Sequence, residues 1–95
     1  MENMEGQKMA KNKIVETLKG VDFRSLKFPL AVVYNKPKDF PFAYVVRIWD
    51  TDKPTDTVFI SKELEECRRE IKAAGFTLWV GRDKSDHPCV VETWM

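Results

Sequence analysis

The side chains of this chain that could do chemistry fall in two loops and on one helix. Cys67, His87 and Cys89, with Asp86 beside them, are the residue types that ligate zinc. Structural zinc sites draw on paired Cys or His at tight spacing, and Cys67 and Cys89 are 22 positions apart. Cys67 also has a full explanation as an apolar helix residue, so the reading is that no metal is held here. Cys89 and His87 could pair as nucleophile and base, since residues two apart on a strand point the same way. The sequence supplies neither a third orienting group nor an oxyanion pocket for them. Asp50, Asp52 and Asp56 have the spacing of calcium-loop ligands. Pro54 then occupies a ligand position, Thr55 replaces the turn glycine, and Ser61 stands where the bidentate Glu belongs. A glycine-rich phosphate loop is absent, and the sequence has only four glycines. No cofactor and no enzyme class is indicated.

Composition sets the frame for those residues. Ninety-five residues suffice for one domain with one core, spanning 1–95 with residues 1–7 frayed. Hydrophobic residues at 43% and charged residues at 33% are globular values and exclude a disordered chain. No apolar run nears the roughly 20 residues that span a bilayer, and the amino terminus carries no signal-peptide block, so the expectation is a cytoplasmic protein with no membrane partner. In a reducing compartment both cysteines remain thiols. The net charge is +1, with residues 1–38 at +4 and the remainder at −3. The net charge is too small to call for a nucleic-acid partner, and the uneven split would let the amino-terminal segment fold back on the acidic portion of its own chain or of a second copy.

The clearest element is a helix from Ser61 to Ala74. Leu64, Cys67, Ile71 and Ala74 recur at three- and four-residue intervals and share one face. Ser61 is placed to cap its start, Gly75 to end it, and Glu65 to pair with Arg68 and Arg69 on the wet side. Residues Lys8 to Lys19 lack Pro and carry Ile14, Val15 and Leu18, which predicts a second helix. Alternation predicts strands over Phe28–Asn35, Phe42–Trp49, Asp56–Ile60, Phe76–Val80 and Cys89–Met95, with a loop at Asn35–Pro41, a turn at Asp50–Thr55 and a loop at Gly81–Pro88. The class is α+β, in the order α-β-β-β-α-β-β. An antiparallel sheet carries the Ser61–Ala74 helix on one face, and the amino-terminal helix is a candidate cover for the other.

Assigning the sheet faces by hydropathy puts Val46, Ile48, Val58, Ile60, Leu78 and Val80 against the helix. Arg47, Trp49, Phe59, Thr77, Trp79, Glu92 and Trp94 then share the opposite face. An aromatic surface of several hundred Å² needs a cover. Besides the amino-terminal helix, the candidate covers are a protein partner, including a second copy of the chain, and single-stranded nucleic acid stacked on the rings. Nucleic acid is the weaker of the two because the basic residues lie mostly in another segment. The expected function is a protein-interaction module using Arg47, Trp49, Phe59, Trp79 and Trp94.

Overall fold

A computed structural model describes residues 12–82 and 88–95. Its described elements are β1 (Lys13–Ile14), β2 (Pro29–Asn35), β3 (Tyr44–Asp50), β4 (Lys53–Ser61), α1 (Leu64–Ala73), β5 (Trp79–Gly81) and β6 (Val90–Trp94). Two 3-10 turns, Leu18–Gly20 and Phe23–Ser25, connect β1 to β2. The strands form one six-stranded sheet in the order β1-β4-β3-β2-β6-β5. An α+β class therefore holds, with two corrections. The sheet is mixed, because β1 runs parallel to β4 through Lys13↔Thr57 and Ile14↔Val58. And the described part of the expected amino-terminal helix, from Asn12 on, is a short strand followed by a 3-10 turn; Lys8 to Lys11, and residues 1–7 where fraying is expected, lie outside the described residues.

The reason for the second correction is visible in the packing. Leu18 has no exposed surface and sits in the core with Cys67, Ile71 and Phe76, while Val15, Val21 and Phe23 pack around it. A continuous helix would carry Val15 and Leu18 on one stripe but would give up the β1–β4 ladder and the seat beside α1. Glu70 on α1 fixes this seat by accepting from Thr17 Oγ1 (2.6 Å) and from the Leu18 backbone N–H (2.9 Å). The amino-terminal segment thus lies on the same side of the sheet as α1. Phe23 closes it with an edge-on contact to Phe76, ring centroids 5.2 Å apart.

α1 ends as its sequence dictates. Gly75 adopts φ +106°, its N–H bonds the Lys72 carbonyl, and the Phe76 N–H bonds the Ile71 carbonyl at 3.3 Å. This is the paired-bond termination that a glycine at this position makes available, with Phe76 and Ile71 both buried. The start differs from expectation. Ser61 closes β4, three residues ahead of Leu64, and its hydroxyl accepts from the Glu63 N–H and donates to Glu66.

The sheet has buried residues on both faces. On the α1 side lie Ala31, Val33, Val46, Ile48, Phe59, Glu92 and Trp94; on the other side Val32, Val45 and Val58. This reverses the expected phase of β4. Val46 pairs with Phe59 and Val45 with Ile60, so Val58 and Ile60 face away from α1 and Phe59 faces it. The two strands meet in a two-residue turn, Asp50↔Lys53, with Thr51 at φ +60°. Any turn of even length places even-numbered β3 residues opposite odd-numbered β4 residues, and the shift between Arg47 and Trp49 preserves that parity. Hydropathy alone chose the wrong face. Pro54 is accommodated because it pairs opposite Trp49, beyond the two rungs that β1 supplies, where its missing N–H leaves no ladder bond unmade.

Candidate functional site

The five residues expected to form one aromatic surface are divided by the sheet. Phe59, Trp79 and Trp94 lie on the α1 side; Arg47 and Trp49 lie on the other. Phe59 and Trp94 are core, 5% and 6% exposed, and offer no ring face for a base to stack on. Trp79 alone of the three tryptophans is substantially exposed, at 54%.

Trp79 and Trp94 are adjacent on paired strands, and both indoles point into the Glu92 carboxylate, which shares their face as expected, although that face is the α1 side. Glu92 is 1% exposed and receives four donors. Its Oε1 accepts from Arg68 Nη2 (2.8 Å) and Trp79 Nε1 (3.1 Å); its Oε2 accepts from Arg68 Nε (3.1 Å) and Trp94 Nε1 (2.7 Å). Arg68 also reaches Glu65 at 3.1 Å, the i,i+3 pair legible in the sequence. Burial pushes the Glu92 carboxyl up, but the hydrogen bonds from Arg68, Trp94 and Trp79 outweigh it and hold the group below its ordinary range. Every strong acceptor position of the carboxylate is filled. It is a poor base and has no lone pair turned to a ligand, so its role is to join α1, β5 and β6. The signal for it in the sequence is an acid on the same strand phase as Val90 and Trp94, answered by an arginine next to Cys67 on the helix.

The Cys67 thiol is equally unsuited to chemistry at ordinary pH. Cys67 is fully buried, and desolvation, with the charges of Glu66 and Glu92, pushes its thiol up to about 12. Cys67 and Cys89 are not disulfide-bonded. His87 and Asp86 fall outside the described residues, and among the described residues no group of three or more metal-ligating side chains converges.

On the face away from α1, Arg47 and Trp49 floor a shallow cleft of about 220 Å³ between the Pro37–Asp39 loop and Pro54. Their polar atoms are committed within the chain. Arg47 donates to the Thr55 carbonyl (2.7 Å) and Asn12 Oδ1 (2.8 Å), and Trp49 Nε1 donates to the Tyr34 hydroxyl (3.1 Å).

No family model, curated protein or solved structure matches this chain. Its own geometry is what bears on its role.

The open edge of the sheet at β5 is the place where that geometry is incomplete. Leu78 exchanges two backbone bonds with Met95, at 3.1 and 2.9 Å, so its polar groups, and by alternation those of Val80, point to β6. Those of Trp79 and Gly81 point outward, and no described strand lies beyond them. The side chains along this edge are apolar: Leu78 is 56% exposed, Trp79 54%, Val80 37% and Met95 37%. The opposite edge differs, since β1 consists of two residues, one of them Lys13. Edge strands are ordinarily protected by charge, proline or a bulge, and the three residues of β5 have none of these. Among the described residues no helix is long and apolar enough to cross a membrane.

Proposed function

We propose that this domain is a protein-interaction module that docks an extended polypeptide strand on the open β5 edge. The observation that carries this reading is the coincidence, at one edge, of outward backbone groups on Trp79 and Gly81 with the exposed side chains of Leu78, Trp79, Val80 and Met95. Backbone groups supply the affinity in such strand addition, and pockets for alternate side chains supply the selectivity. Leu78 and Val80 lie on one face of β5 and Trp79 on the other, so an added strand meets apolar surface whichever face its own side chains occupy. Trp79 is held ready by its bond to Glu92, which fixes the indole before a partner arrives and lowers the ordering cost of docking.

The test uses a short synthetic peptide of alternating Val and Thr as a generic extended strand, with backbone amide exchange followed on the full chain. Protection appearing at the Trp79 and Gly81 amides is the expected result. No protection at either amide, or protection confined to other strands, overturns the assignment of the edge.

A further inference from the structure

We infer that the strand seated on this edge is β5 of a second copy of the chain, antiparallel, with the two-fold axis passing through Val80. The inference rests on the edge reading above and names its occupant. A two-fold axis demands a self-complementary surface, and β5 has one. With the axis at Val80, Trp79 of each copy stands opposite Gly81 of the other, and Val80 opposite Val80. The outward N–H and C=O groups of Trp79 and Gly81 then meet their counterparts as two hydrogen-bonded pairs, closing every backbone group that β5 leaves open.

The largest side chain of the strand thus faces the residue with no side chain. Within one copy the Trp79 indole already lies over Gly81, where an added Cβ would come within 3.1 Å of Trp79 Cη2. Across the axis the same absence of a Cβ makes room for both indoles on the α1 side, side by side. Charge does not oppose the arrangement. Arg82 stands opposite Leu78 of the partner rather than opposite Arg82, and a net charge of +1 per chain gives little repulsion between copies. A foreign strand would need its own small residue opposite Trp79; a second copy brings it in register.

The axis makes a sharp geometric demand. Val80 and its counterpart form a non-hydrogen-bonded pair, with Cα atoms about 4.5 Å apart, inside the span a disulfide bridges. Leu78 and its counterpart would be about 13 Å apart, four residues along paired strands. The experiment is performed on the full chain carrying Cys89→Ser, with Cys67 left in the core, and with either Val80→Cys or Leu78→Cys added. Far-UV circular dichroism checks that each variant folds. Light scattering on the unmodified chain is expected to rise with concentration from 11.1 kDa toward twice that mass. Mild oxidation is expected to cross-link most of the Val80→Cys chain as a dimer and little of the Leu78→Cys chain.

Cross-linking through Leu78→Cys but not Val80→Cys, in a chain that still dimerises, overturns the register. A chain that stays at monomer mass at every concentration overturns the second copy as occupant. The Val/Thr peptide then separates the two levels: amide protection by it leaves the edge standing as a docking site, and its absence removes the edge reading as well.

Discussion

Replacing Glu92 with Gln tests whether the buried carboxylate holds the sheet and helix together. The substitution keeps the shape of the side chain but leaves one acceptor oxygen where four donors converge, and turns an amide N–H₂ toward two of them. The consequence differs by donor. Trp79 is half-exposed and Arg68 about one-third exposed, so each can turn to water at modest cost. Trp94 is buried, and an unpaired indole N–H there costs about 1–3 kcal/mol. Adding the loss of charge assistance from a partly solvated Arg68 brings the expected destabilisation to roughly 2–4 kcal/mol, a large share of the 5–15 kcal/mol typical of a domain. At about 4–8 °C per kcal/mol for a chain of this size, the melting temperature should fall by roughly 8–32 °C. Urea unfolding followed by far-UV circular dichroism reads this directly and avoids the tryptophan emission that the substitution itself alters. The same measurement against pH adds a signature. Because the folded Glu92 sits below its ordinary value of 4.5, the unfolded chain takes up its proton first as acid is added. Its contribution is complete above that value and is lost as pH falls through the lower folded one. Wild-type stability should therefore drop more steeply than that of the Gln variant below about pH 4.5, with Glu70, also held low by Thr17 and the Leu18 N–H, supplying the slope that remains. A Gln variant within 0.5 kcal/mol of wild type at pH 7 would refute the reasoning.

Three further outcomes are expected. Leu18→Ala should cost about 2–5 kcal/mol in urea unfolding, because Leu18 is fully buried; a surface-like effect would mean the amino-terminal segment is not part of the core. Gly75→Ala should cost roughly 1–2 kcal/mol although a Cβ there meets open space, since the cost arises from φ +106° alone, and Gly75→Asn should recover part of it. In the Cys89→Ser chain a disulfide reagent at pH 8 should modify Cys67 only at the rate of unfolding, as follows from a buried thiol pushed up to about 12; rapid modification of the native protein would contradict its burial.

Local signals in the sequence carried the elements well and the faces poorly. The stripe Leu64, Cys67, Ile71, Ala74 and the terminating Gly75 located α1, and alternation located the later strands in part, since β4 begins at Lys53 rather than Asp56 and β5 covers Trp79–Gly81 rather than Phe76–Val80. Leu18 and Val15 carry the same apolar information whether in a helix or an irregular segment, so their periodicity could not reveal a parallel rung formed more than forty residues away. The aromatic surface failed for a related reason. Which face a strand shows is set by register, and the even turn that pairs Val46 with Phe59 overrides aliphatic character. Strand phase put Glu92 and Trp94 on the face away from α1, whereas Arg68 and two indoles make burial of that acid beneath α1 tolerable. Of the expected site, Trp79 is exposed; its neighbours Leu78 and Val80, expected in the interior, are exposed beside it.

The central position of β2 bears on how the chain comes to be folded. Val33 pairs on one side with Val46, soon after it in the chain, and on the other with Glu92, roughly sixty positions later. During synthesis the β2–β3–β4 meander can assemble early, but one side of β2 stays bare until β6 emerges, and the floor beneath α1 lacks Trp94 until then. Distant pairing of this kind slows folding and leaves an apolar edge exposed while it is awaited. The nascent chain is thus open along β2 before the finished one is open along β5, and the interval between them is when chaperone capture or mispairing would take its toll.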